Sequence, residues 1–225
     1  MTKDNRVGSI ASEGLPYIFA VVVMAALIKW FFGWWSLPLW LTAIVLVYCF
    51  RRSERRIPAS PLGVVSPADS RVQAIEDTVD PFLQRPSKRI TLALNPLGEY
   101  TLRAPTEGKF VNQWHLRKGT VHTWGSKQEY TADEDALRNR GKRLDGLWIQ
   151  TDEADDVVLE LTVAPLRRPR CYGVVGQRVG QGQRCGFMPF GGRLAVYLPA
   201  NARISVKPGD TVRSGSDLIA SLVHG

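Results

Sequence analysis

Residues 176–188 read GQRVGQGQRCGFM, and residues 209–221 read GDTVRSGSDLIAS. Each contains G-x-x-V-x-x-G, the second copy 33 residues after the first. Glycine tolerates the positive φ of a tight turn, and a valine between two such turns makes a short pairing segment. Two copies of one turn–pair–turn unit imply two related halves. The fold they predict is mainly β, a pseudo-symmetric β sandwich.

Residues 61–225 are punctuated by Gly, Pro and Asp, with short apolar runs between: GVVSPADSRVQAIED from 63, RITLALNP from 89, GLWIQTD from 146, DVVLELTVAP from 156, RLAVYLP from 193 and ARISV from 202. Most are four to seven residues long and rich in Val, Ile and Leu, the signature of strands. The segment ADEDALRNRGK (132–142) is short and charged and reads as a surface helix or loop. Halves of this size suit biotinyl or lipoyl carrier domains, which present a lysine on a hairpin tip. Lys207 is the only lysine after Lys142 and stands just before the second repeat. The carrier shape is therefore retained as an expectation and the carrier function is not.

Before the β region the composition changes. Residues 1–16 form an N-terminal tail, expected to be cytoplasmic, and 51–60 a basic linker. Between them, residues 17–50 read YIFAVVVMAALIKWFFGWWSLPLWLTAIVLVYCF. One helix of that length would be about 51 Å long, against a hydrocarbon core of about 30 Å. Lys29, Gly33 and Pro38 fall near its middle. A break there gives two helices, 17–32 and 37–50, about 24 and 21 Å long and short for a full span. The expectation is a membrane helical hairpin that dips into or crosses the bilayer; the alternative is a single tilted span. Trp30, Trp34, Trp35 and Trp40 suit an interface, toward which Lys29 can snorkel. Lys3 and Arg6 precede the segment and Arg51, Arg52, Arg55 and Arg56 follow it. Positive charge at both ends places both on the cytoplasmic side of an inner membrane.

The chain has 225 residues and a formal charge of +8. Residues 1–60 carry seven basic and three acidic side chains, so positive charge is densest beside the apolar segment. That pattern suits an anionic membrane surface, and no interleaved basic–aromatic motif supports nucleic-acid binding. Cys49, Cys171 and Cys185 are too few and too widely spaced for a disulfide framework or a zinc site. His115, His122 and His224 share no metal-ligand spacing and read as surface or loop residues. No metal is expected.

Four ordered stretches resemble the phosphatidylserine decarboxylase family in its short bacterial and archaeal form: SPADSRV (66–72), NPLGEYTLRAPTEGKF (95–110), LTVAPLRRPRCY (161–172) and QRCGFMPFGGRLAVYLP (183–199). The ending VKPGDTVRSGSDLIASL (206–222) and the CFRRSERRIP (49–58) after the apolar segment are similar to that family too. The resemblance implies phospholipid metabolism leading to phosphatidylethanolamine. It also implies a self-made cofactor. A serine in a Phe-Gly-Ser-Arg stretch attacks the preceding glycine carbonyl, and the chain breaks to leave a pyruvoyl group that serves as the electron sink for decarboxylation.

At that place this chain reads Phe190-Gly191-Gly192-Arg193. Glycine has no hydroxyl, so the nucleophile itself is missing and a pyruvoyl group is not expected. The family's histidine before Arg-Ala-Pro is matched by Tyr100, a poor general base because a phenol ionises near pH ~10. Of the catalytic positions only Asp69 is retained, and PADS is also a good turn. Arg103 and Arg193 stand at family positions where they could hold a lipid phosphate or carboxylate. The other Gly-Ser pairs, at Gly8, Gly125 and Gly215, are poor substitutes. The resemblance with these departures implies a non-catalytic, phospholipid-binding or regulatory membrane protein. Its expected partners are phospholipid, phosphatidylserine included, and a second copy or an active relative. The alternatives are an active decarboxylase by another route and a structural adaptor that keeps only the fold.

Overall fold

The computed structural model describes residues 14–51, 55–58, 60, 62–117, 120–125, 143–162 and 169–223. The segment 132–142 lies outside them. The chain divides between residues 54 and 55 into two compact units.

The first unit contains α1 (Leu15–Phe32), a 3-10 turn (Gly33–Ser36) and α2 (Leu37–Cys49). Both helices carry proline in the first turn, where the missing N–H has no intrahelical partner to lose. Gly33 ends α1 at φ 59° and ψ −116°, a conformation open to glycine, and its N–H bonds the Lys29 carbonyl. The Ser36 hydroxyl donates to the Gly33 carbonyl at 3.0 Å and closes the turn. The single continuous helix is thus excluded. The two helices pack against each other, and Tyr17 stacks on Phe50 at 5.9 Å. Their 18 and 13 residues correspond to about 27 and 20 Å. Among the described residues, no helix is long and apolar enough to cross a membrane. The crossing form of the expected hairpin therefore has no helix to carry it. Both helices are apolar on every side, and Phe19, Leu27, Trp30, Phe31, Trp34, Leu41 and Ile44 are largely exposed.

The second unit is β throughout its described residues. In chain order its strands are β1 (Gly63–Val65), β2 (Ser70–Val79), β3 (Pro86–Leu94), β4 (Thr101–Arg103), β5 (Gly108–Arg117), β6 (Thr120–Gly125), β7 (Arg143–Gln150), β8 (Asp156–Thr162), β9 (Arg170–Cys171), β10 (Arg178–Val179), β11 (Arg184–Phe187), β12 (Gly192–Pro199), β13 (Arg203–Ile204), β14 (Thr211–Val212) and β15 (Leu218–Ser221). They form a nine-stranded sheet, β10-β5-β7-β8-β12-β3-β2-β14 with β6 beside β5, and two three-stranded sheets, β1-β15-β13 and β4-β11-β9. All the pairings are antiparallel.

The central strands of the large sheet are buried on both faces, which explains their unbroken apolar runs. On β12, Leu194, Val196 and Leu198 enter the main core, while Ala195 and Tyr197 enter a second cluster with Phe82, Trp114 and Trp148. The main core also takes Val64, Leu102, Cys185 and Ile219 from the small sheets.

The glycine repeat is matched in its backbone bonding. Val179 pairs with Gly108, and Val212 with Ser70. Gly176 donates to the Phe110 carbonyl and Gly209 to that of Val72; Gly182 donates to Ala104 and Gly215 to Ser66, each at 2.8 Å. All four glycines have positive φ. The segments that receive them also cross-bond reciprocally, Val65 N–H to the Pro105 carbonyl and Arg103 N–H to that of Pro67.

Candidate functional site

The turn between β11 and β12 has three consecutive residues at positive φ: Phe190 at 60°, Gly191 at 70° and Gly192 at 143°. Two are glycines, which adopt such angles freely. Phe190 is not, and a side chain held there costs roughly 1–3 kcal/mol unless its surroundings fix it. Tyr100 does the fixing. Its ring lies 5.7 Å from that of Phe190 and meets Phe187 edge-on at 6.1 Å. Its hydroxyl donates to the Pro96 carbonyl at 2.7 Å, and its carbonyl accepts the Met188 N–H at 2.8 Å. Tyr100 is buried and packs the turn. A Cβ added at Gly192 would stand 2.4 Å from Met188 Cε, so the methionine fills the space a larger residue would need. The residues at this turn do not fit a pyruvoyl group: position 192 supplies no oxygen, and Met188 covers it.

Asp69 is half-buried and fully engaged. One carboxylate oxygen accepts from Arg55 at 2.9 Å and from the Glu99 N–H at 3.2 Å; the other accepts from the Ser214 N–H at 2.8 Å. Glu99, almost wholly buried, lies 3.6 Å from Arg55 Nε and 3.4 Å from Arg103 Nη2. Arg103 is buried as well and donates to the Gly182 carbonyl at 3.2 Å. It is not the surface arginine a lipid phosphate would meet. Its stem runs beside Gly215, where a Cβ would sit 2.6 Å from Arg103 Cδ, so it packs where the two repeats meet.

Arg193 is placed differently. It pairs in register with Ala93 on β3 and opens on a cavity of about 440 Å³. Gln73, Pro96, Thr162, Phe190 and Gly192 also line this cavity. The structure thus joins Tyr100, Gly191 and Gly192 in one turn with Arg193 beside it. It groups Asp69 with Arg103 in a separate ion-pair network. Arg55, Glu99, Gln73, Thr162 and Met188 were not singled out by the sequence. Arg55 had a signal, being one of a cluster of linker arginines, but its acidic partners lie far along the chain.

One further expectation changes. His115 is not an isolated surface residue: its Nδ1 lies 2.8 Å from Asp145 Oδ1, paired across β5 and β7. His122 is exposed on β6, and His224 lies outside the described residues. All three cysteines are free thiols. Burial first and nearby Asp145 second push the Cys171 thiol up to about 12, and burial raises Cys185 also; neither is poised as a nucleophile. Gly215-Ser216 sits in a turn before β15, whereas Ser9 and Ser126 lie outside the described residues. Among the described residues, no three His, Cys, Asp or Glu side chains converge to hold a metal ion.

Comparison with known proteins gives this site its family. The profile described as phosphatidylserine decarboxylase matches residues 42–220. The chain is 33% identical over 213 residues to the phosphatidylserine decarboxylase proenzyme of Nitrosomonas eutropha, with 94% of each chain covered. It is 35% identical over 214 residues to that of Aromatoleum aromaticum, with 95% of each covered. With that of Cupriavidus taiwanensis the identity is 32% over 216 residues, again 95% of each. The chain belongs to the phosphatidylserine decarboxylase family.

Proposed function

We propose that this chain is a non-catalytic member of its family, held at a membrane by the α1–α2 hairpin and binding phospholipid beside the glycine turn. The observation that carries the reading is Gly192. The acyl shift that starts self-processing needs a hydroxyl on the residue after Gly191, and position 192 has only hydrogen. Neighbouring groups can tune a nucleophile but cannot replace one. Tyr100, buried and bonded to a carbonyl, stands where the resemblance calls for histidine and offers no general base near neutral pH. Asp69 is tied to Arg55 and two backbone amides.

Membrane attachment is supported by helices apolar on all sides with large exposed side chains. Lys29 is the only charged residue in 15–50 and lies with Trp30, Trp34 and Trp40 at or near the turn between the helices. With both helices short of a full span, the hairpin dips into one leaflet, and the positive charge that follows it in sequence favours a β domain on the cytoplasmic side. The β domain is read as a pseudo-symmetric sandwich, supported by the matched bonds of the two repeats. A second copy or an active relative remains the protein partner this reading favours.

Intact-mass measurement of the purified protein tests the central statement. One uncut chain of the full mass is expected, with no carbon dioxide released from phosphatidylserine. Two chains, the smaller beginning at position 192 with a blocked terminus, would overturn the reading. Restoring the hydroxyl by Gly192→Ser is expected to leave the chain uncut and to lower its stability by about 1–3 kcal/mol, because φ near 143° strains any side chain and Met188 must move. Adding Tyr100→His should come closer to cleavage than the single change. A denaturation curve and a denaturing gel of both variants check this.

A further inference from the structure

We propose that the cavity beside Gly192 takes a phosphodiester head group that carries no ammonium, so that this protein favours a lipid such as phosphatidylglycerol over phosphatidylserine or phosphatidylethanolamine. The proposal rests on the phospholipid-binding reading above and specifies its ligand.

The chemistry of the walls decides it. Arg193 brings one positive charge, and Gln73 and Thr162 bring an amide and a hydroxyl. Among the described residues none of these three side chains has a hydrogen-bond or ion-pair partner. They are therefore available to phosphate and hydroxyl oxygens. Pro96 and Phe190 supply apolar surface for the glycerol backbone and the start of the acyl chains. No acidic side chain lines the cavity among the described residues.

The strongest holds a protein has on an ammonium group are pairing with a carboxylate and covalent capture. Neither is offered here. The two carboxylates of the neighbouring network, Asp69 and Glu99, are held by Arg55 and Arg103 at 2.9 to 3.6 Å. Gly192 presents no reactive group. An ammonium entering the cavity would lose water, find no counter-charge among the described residues and be repelled by Arg193. A glycerol head group meets no such penalty, and its hydroxyls match Gln73 and Thr162.

The test uses the full chain in detergent micelles, titrated calorimetrically with dihexanoyl phosphatidylglycerol, dihexanoyl phosphatidylserine, dihexanoyl phosphatidylethanolamine and glycerol 3-phosphate. Phosphatidylglycerol is expected to bind most tightly. Arg193→Gln should weaken it about fivefold, the scale of one partly exposed charged contact. Arg203→Gln, an exposed arginine away from the cavity, should leave it unchanged. Phosphatidylserine binding as tightly as phosphatidylglycerol would overturn this proposal and leave the lipid-binding reading standing. Binding of no lipid at all would overturn both. Glycerol 3-phosphate binding as tightly as the lipid would show a phosphate site with no lipid role. Equal losses from the two arginine changes would reduce the effect to net charge and overturn the assignment to the cavity.

Discussion

Glu99→Ala is expected to lower the stability of the β domain by about 3–5 kcal/mol, the usual cost of removing one partner from a buried ion pair. Glu99 is 2% exposed at its side chain and lies between two guanidinium groups, Arg55 at 3.6 Å and Arg103 at 3.4 Å. Alanine would leave Arg103, itself buried, without its carboxylate, and would loosen Arg55 from the linker side. The large effect comes from the stranded charge, not from the attraction lost. Glu99→Gln fills the same volume and keeps an acceptor oxygen, so it should cost less than alanine and more than nothing. Denaturant unfolding of the three proteins measures this. A loss below about 1 kcal/mol for Glu99→Ala would show that the charges resolvate freely and that the network does not hold the site. The expected result also bears on Asp69. A carboxylate that ties Arg55 and accepts from the Glu99 and Ser214 amides has structural reason to be present whether or not the chain performs chemistry.

The strands legible in the sequence were those with long apolar runs. β7, β8 and β12 lie in the middle of the large sheet, where burial on both faces writes Val, Ile and Leu into consecutive positions; β2 and β3 beside them carry buried positions that alternate with more exposed ones. β9, β10 and β14 are two residues long and carry no periodicity; β13 is as short, but the ARISV run read from the sequence covers it. The repeat located β10 and β14 because glycine marks their turns. β5 and β6 were missed for another reason. Their sequences, GKFVNQWHLR and TVHTWG, mix polar and aromatic residues, since only part of each faces a core. The break between the helices was legible because Gly33 and Pro38 each act on the local backbone.

At the site, the sequence showed what was missing more clearly than what replaced it. A glycine in place of a serine is visible in one position. The Met188 side chain over that glycine and the Phe187–Tyr100–Phe190 cluster are products of the fold. Arg103 shows the opposite limit. Its position by resemblance suggested an anion site, yet its surroundings, Glu99 and the Gly182 carbonyl, come from segments that sequence spacing does not bring together. Arg193 alternates out of the core beside Leu194, and that outward position is legible from strand periodicity.

The pH response of the folded protein is expected to show the cost of one buried acid. Asp80 begins the turn between β2 and β3 and is fully buried. One of its oxygens accepts the Phe82 N–H at 2.8 Å, while the other has no hydrogen-bond partner among the described residues. Burial raises its pKa from 3.8 to about 6; the bond from Phe82 and the charge of Arg85 oppose the shift without cancelling it. The folded protein therefore holds this proton more tightly than the unfolded chain. The contribution is fully present below about pH 4 and is lost as pH rises through about 6. The difference of about two units corresponds to roughly 3 kcal/mol at pH 7. Asp80→Asn keeps an acceptor for Phe82 and removes the ionisation, so the variant should be more stable than the parent by nearly that amount at pH 7. For a domain of this size the gain corresponds to roughly 6–12 °C in Tm. At pH 4, where the parent's carboxyl is neutral as well, the two curves should converge. Thermal unfolding of both proteins at the two pH values distinguishes this from a general packing effect, which would persist at pH 4. An unchanged Tm at pH 7 would mean that the Asp80 carboxylate is stabilised within the fold, by Arg85 or by water, and that no proton is bound there.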